Sequence, residues 1–258
     1  MRSQSWMDMA GGARQPITLP VEVWKEVANH MSTRQWAKVS GTCRAMSQVQ
    51  PRRIECLAAR QQTPEHLLDM LQWCINHWRE AEKFGIKFGD VHMYKMYKLM
   101  KSSSPSEHLQ QLAFDFSPSK EAEGRFDYIA IDKFAHIWLD PYLRQAAQLK
   151  ALCLEGISEV LPNLPLLDKL VHLSVGFRRP LKKHACIALQ TLHSLETLCL
   201  DILFTSRQYE FEDVVEINGL DFTGCSKLRA VRVMMLEPEY LRLPPGCSLS
   251  VTRHPLVG

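Results

Sequence analysis

The residues best able to do chemistry in this chain are its eight cysteines, at positions 43, 56, 74, 153, 186, 199, 225 and 247, and its ten histidines. A zinc site or a dithiol centre needs ligands paired at short fixed spacing, such as Cys-x-x-Cys, and no such pair occurs. His66 and His77 stand eleven residues apart with no thiol pair beside them, so they read as solvated or capping side chains. Metal ligands and cofactors are therefore not expected. Most of the cysteines fall in apolar, periodic segments, where a thiol acts as a small hydrophobe; this suits a reducing compartment, cytoplasmic or nuclear. Thiol catalysis would rest on Cys153 and Cys199, yet neither has a basic activator near it in sequence. Glycine loops that cradle phosphate, nucleophile elbows and Cys/His motifs are also missing, and an enzyme is not expected.

A second set of reactive side chains is acidic and comes from a repeat. The pattern apolar-x-x-apolar-x-apolar recurs as Leu109/Leu112/Phe114, Phe126/Ile129/Ile131, Leu149/Leu152/Leu154, Leu170/Leu173/Val175, Leu195/Leu198/Leu200 and Leu228/Val231/Val233. Its starts are 17, 23, 21, 25 and 33 residues apart, close to the leucine-rich-repeat period of about 20–29. Helical patterns at Tyr142 to Gln148 and Leu181 to Leu189 suit an outer layer between strands. Period-two alternation turns the third, fifth and seventh residue of each unit to one open face. The seventh position reads Asp115, Asp132, Glu155, Gly176, Asp201 and Met234, and Tyr128 and His172 hold third positions. Asp115, Asp132, Glu155, Asp201, Tyr128 and His172 are thus the candidate contacts for a target protein. The acids either receive a Lys/Arg-bearing segment or keep an open sheet face soluble. These units resemble leucine-rich repeats, and Cys225-x-x-Leu228 resembles the lead-in of their cysteine-containing subtype. The Asn that usually ties the turn after the strand is absent at Ser117, Phe134, Ile157, Arg178, Leu203 and Leu236, which predicts an irregular solenoid.

Upstream, Leu19-Pro20 opens a helical pattern in which Val23, Val27 and Met31 recur, widened by Trp24 and Ala28. Ser32 to Gln35 spells a capping box before a second helix with Trp36, Ala37 and Val39. Cys43, Met46 and Val49 then make a third, closed by Pro51. A module of this size buries too little surface to be comfortable without metal, disulfide or partner, and only a partner fits the residues present. The string Leu19-Pro20-x-Glu22-Val23-Trp24, with Val27, His30-Met31-Ser32, Trp36, Val39-Ser40 and Thr42-Cys43-Arg44, resembles the F-box. That resemblance implies docking on the Skp-type adaptor and cullin scaffold of a ubiquitin ligase. Leu19, Pro20, Val23, Trp24, Val27, Met31, Val39 and Cys43 would divide between the adaptor interface and the module's own core. Trp24 and Trp36 depart from the family, which usually has smaller aliphatics there.

The expected organisation is α+β. A flexible leader takes 1–15, a three-helix F-box 16–56, a helical connector 57–105 and the irregular leucine-rich-repeat array 106–258. Within the connector, Thr63-Pro-Glu starts a long helix carrying Leu67, Leu68, Met70, Leu71, Cys74, Ile75 and Trp78. The net charge of +3 is uneven: nine Lys/Arg face four Asp/Glu in residues 1–60, against sixteen and nineteen in 106–258. The two ends should meet different partners. No apolar run reaches the ~18 residues that suggest a membrane span, and neither membrane nor nucleic acid is an expected partner. The insertion Thr205 to Leu220, with Tyr209, Phe211 and four acids, could overhang the open face. The expected function is a substrate-receptor adaptor, with a non-ligase interaction scaffold and a thiol-dependent enzyme as alternatives.

Overall fold

Three short helices come first among the residues described by the computed structural model, which are 19–42, 44–50, 52–57, 69, 72–77, 81–88, 98, 106–117, 128–179, 181, 183–202, 220–234 and 241–252. They are α1 (Val21–Asn29), α2 (Thr33–Ser40) and α3 (Arg44–Ser47). The Ser32 box caps α2 as its residues dictate: Gln35 N–H donates to Ser32 Oγ at 3.3 Å, and Ser32 N–H donates to Gln35 Oε1 at 2.9 Å. Ala28, Trp36, Met46 and Val49 form the buried centre of this module, with Trp24, Met31, Val39 and Trp73 packed against it.

The strands follow: β1 (Arg53–Leu57), β2 (Lys83–Lys87), β3 (Gln111–Asp115), β4 (Ala151–Ile157), β5 (His172–Phe177), β6 (Thr197–Ile202), β7 (Leu220–Asp221), β8 (Ala230–Met234), β9 (Leu241–Arg242) and β10 (Ser248–Thr252). Eight of them make one parallel sheet in the order β1-β2-β3-β4-β5-β6-β8-β10, and β7 pairs with β9 in a second. The architecture is mixed α/β with a parallel sheet. Between β3 and β4 run α4 (Tyr128–Phe134), a π-helical stretch Ala135–Leu139 and α5 (Asp140–Leu143). A 3-10 turn Leu164–Leu166 lies between β4 and β5, and α6 (Lys183–Gln190) between β5 and β6.

Parallel neighbours need a crossover connection, and the strands of the large sheet follow sequence order. Alternation then sends Ile54, Phe84, Leu112, Leu152, Leu173, Leu198 and Val231 into one inward row, all 0–2% exposed. Ile86, Phe114, Leu154, Val175, Leu200 and Val233 form the next. Phe88 and Phe116 directly follow β2 and β3, Phe177 ends β5, and all three rings are fully buried. The backbone ladder runs on past the strand ends: Phe88 N–H donates to Asp115 O at 2.9 Å, and Phe116 N–H to Glu155 O at 2.8 Å. Phe88 and Phe116 stack with centroids 4.7 Å apart, continuing through Phe134, Trp138 and Tyr142 as an aromatic column. One buried carboxylate joins turns of successive crossovers, Asp140 accepting from Asn163 N–H and Nδ2, each at 2.7 Å.

Three expectations need correction. The unit Phe126/Ile129/Ile131 is not a strand, because Ile131, Phe134 and Ala135 are buried at helical spacing in α4 and the turn after it, while Ile129 is exposed. The connector is not wholly helical: residues 72–76 are, but β2 follows at Lys83, and Leu67, Leu68, Met70, Leu71 and Trp78 lie outside the described residues. The sheet begins at Arg53, whereas the repeat pattern starts the strands near Leu109, and it continues through Ser248–Thr252, which that pattern does not contain. The leader 1–15 and most of the 205–220 insertion also lie outside the described residues.

Candidate functional site

Two surfaces carry the candidate residues. On the helical module, Trp24, Met31 and Val39 turn inward onto Trp36, and Val27 is half-buried. Leu19, Pro20 and Val23 are exposed, and Val21 joins them as an apolar position the sequence pattern passes over. Its signal in the sequence is an apolar residue directly after Leu19-Pro20. Cys43 lies outside the described residues. Both departing tryptophans are used internally, and their indole nitrogens are buried without a hydrogen-bond partner among the described residues. The module is tied to the sheet edge at Thr33, whose Oγ1 accepts the Glu55 N–H of β1 at 2.7 Å. Trp73 packs against both cores and stacks on His77 at 4.3 Å.

The second surface is the outward face of the sheet. Its rows are in register across the strands: Lys83, Gln111, Ala151, His172, Thr197, Ala230 and Ser248 in the first, and Gly85, Ala113, Cys153, Ser174, Cys199, Arg232 and Ser250 in the second. Small side chains dominate both, and they leave a trough of about 430 Å³ along the face. His172 holds its place in the first row through Nδ1 and Thr197 Oγ1, 2.7 Å apart.

The third outward row contains Lys87, Asp115, Glu155, Gly176, Asp201 and Met234 in aligned positions. The structure thus brings together Asp115, Glu155 and Asp201, and leaves Asp132 elsewhere. Asp132 lies on α4 and pairs with Arg178 at 3.3 Å. The same guanidinium is only 10% exposed and donates through Nε to Gly156 O, so this acid anchors a crossover helix to a strand end. Tyr128 opens α4 rather than standing in the first row. The misplacement has one origin, the helical unit read as a strand.

Within the acidic row, Lys87 pairs with Asp115 at 2.6 Å. Glu155 Oε1 accepts from Ser174 Oγ at 3.0 Å and from Cys153 Sγ at 3.7 Å. Gly176 matters here because a β-carbon would collide with the Glu155 carboxylate, which leans across it. Burial first, then the charges of Asp201 and Asp115, raise the Glu155 carboxyl above its ordinary range, partly opposed by the Ser174 hydrogen bond. Burial and the Glu155 charge likewise push the Cys153 thiol up to about 12. Cys153 is therefore protonated near neutral pH and a poor nucleophile. Cys199 lies two strands away, about 10 Å by sheet spacing, too far for a disulfide with Cys153.

Among the described residues, no group of three His, Cys, Asp or Glu side chains could hold a metal ion, and no helix is long and apolar enough to cross a membrane. No family model and no curated protein matches the chain. Among solved structures it is similar to an internalin C2 from Listeria monocytogenes, at 14% identity over 91% of this chain and 96% of that one, with a TM-score of 0.38.

Proposed function

We propose that this chain is a non-enzymatic substrate receptor of an SCF-type ubiquitin ligase, an F-box module joined to an irregular leucine-rich-repeat solenoid. The observation that carries the reading is how the apolar side chains of Leu19 to Val39 are divided. Trp24, Met31 and Val39 are consumed by the module's core, while Leu19, Val21 and Val23, at 39%, 45% and 41% exposed, have no use inside the chain. Three exposed hydrophobes at the start of so small a module suit a protein interface, and the F-box-like string supplies its partner, a Skp-type adaptor that in turn reaches a cullin.

At the other surface, the trough and its acidic wall take a target segment bearing Lys or Arg, with Asp115, Glu155 and Asp201 opposite the cations and His172 at the far rim. The chain contributes proximity and orientation; the bond-forming chemistry belongs to other subunits. The reading places the protein in the cytoplasm or nucleus, where those subunits work.

Co-purification with a Skp-type adaptor and then a cullin tests it. Leu19→Ala/Pro20→Ala, and separately Val23→Asp, should lower adaptor recovery by about tenfold or more, with the melting temperature unchanged. Undiminished recovery in both variants would remove the docking claim. Adaptor capture without cullin would favour an interaction scaffold serving no ligase.

A further inference from the structure

The two inward rows of the sheet are sealed at every strand described but the last. From β1 to β8 the described side chains of these rows are 0–3% exposed, yet Leu249 and Val251 of β10, in register with Val231 and Val233, are 38% and 36% exposed. Among the described residues β10 is also an edge, with β8 as its neighbour on one side and no strand on the other. Edge strands are normally protected by charge, proline or a bulge. Ser248-Leu249-Ser250-Val251-Thr252 has no charge and no proline, and it pairs with β8 without a register shift.

We propose that β10 is a self-association surface: two copies of this chain join antiparallel through their β10 strands about a two-fold axis at Ser250. Copies could extend the sheet in two ways. Parallel addition of β10 to another copy's β1 is blocked, because α2 already covers β1 and Thr33 takes the Glu55 N–H. Antiparallel addition of β10 to β10 meets no such obstacle, and being isologous it closes at two copies instead of growing into a fibre. Centred on Ser250, this register sets Leu249 of each copy opposite Val251 of the other on the same face. Each residue left open in one copy is covered by its counterpart, and no charge opposes another. Five-residue edges bury far less than the roughly 800 Å² per partner of a standard interface. The pair is therefore weak, with a Kd in the ~µM range.

Sedimentation of the full chain across a concentration series, with cysteine cross-linking, tests the pairing. The expected result is a monomer at high dilution and a dimer at tens to hundreds of µM, on the order of the affinity above. In the proposed register the two Ser250 Cα atoms lie about 5 Å apart, within disulfide reach, whereas the two Ser248 Cα atoms lie roughly 14 Å apart. Ser250→Cys should thus give covalent dimer about tenfold above both Ser248→Cys and the oxidised wild type. Val251→Lys should abolish the dimer; should that variant fold poorly, the cysteine comparison still decides. A wild type monomeric throughout the series, or equal cross-linking at 248 and 250, overturns the proposal. Adaptor docking is untouched by either result, since it uses the opposite end of the sheet.

Discussion

The two ends of the parallel sheet have the same alternation and the same register, yet they are finished differently. At β1, Ile54 is fully buried, the strand carries Arg53 and Glu55, which pair at 2.7 Å, and Thr33 takes up the edge N–H of Glu55. At β10, Leu249 holds the equivalent row and is exposed, and the strand has no charge at all. A strand's pattern decides which residues face inward. Whether they are buried depends on what lies beyond the strand, and among the described residues a module lies beyond the amino-terminal end only.

The largest expected effect falls on that module. Trp36 is fully buried at its centre, and Trp36→Ala should destabilise it by about 3–5 kcal/mol. Hydrogen exchange would then show protection lost in α1, α2 and β1 but retained at β8. If β1 kept full protection, the helices would be a neighbour of the sheet and not its cap. The comparison itself is tested by one substitution at each end of a single row. Ile54→Ala should cost about 2–4 kcal/mol in chemical denaturation, and Leu249→Ala, measured in dilute solution, about 1 kcal/mol or less. Equal losses would mean that the carboxy-terminal end is as well sealed as the other. The smallest effect concerns the middle of the outward face. The raised Glu155 carboxyl binds its proton more tightly in the folded chain, so its contribution to stability improves as pH falls from neutral through its folded value. Above that value the folded state carries first the cost of a buried charge and then the repulsion from Asp201 and Asp115. Glu155→Gln should therefore raise the melting temperature slightly at neutral pH and flatten its slope in mildly acid buffer. A lowered melting temperature would show that the Ser174 hydrogen bond outweighs the repulsion.

Much of the fold is legible in the residues. Leu112/Phe114, Leu152/Leu154, Leu173/Val175, Leu198/Leu200 and Val231/Val233 are read as inward pairs and are buried, and the Ser32 capping box is visible as a four-residue string. The misses share a cause. Phe126/Ile129/Ile131 meets the strand pattern by spacing alone, and Ile131/Phe134/Ala135 meets a helical one two residues on. Conversely, Ala81-x-x-Phe84-x-Ile86 satisfies the repeat with a small first residue, and Ala81 is fully buried; a search weighted to leucine passes over it. For β10 the lead position is Gly246, with φ of 80°, so no apolar lead announces the strand.

The candidate acids divide the same way. Asp115, Glu155 and Asp201 form a row because each sits at the same phase of a true strand, whereas Asp132 shared their phase in a segment that folded as helix. Chain-local information, alternation and capping chemistry, was enough to determine the two-sided character of the strands and the helical start. Which strands are neighbours, that Gly176 leaves room for the Glu155 carboxylate and that Arg178 neutralises an acid 46 residues away are contacts between distant segments. Burial, charge pairing and the shape of an edge depend on those neighbours, and they exist only once the crossovers have brought them together.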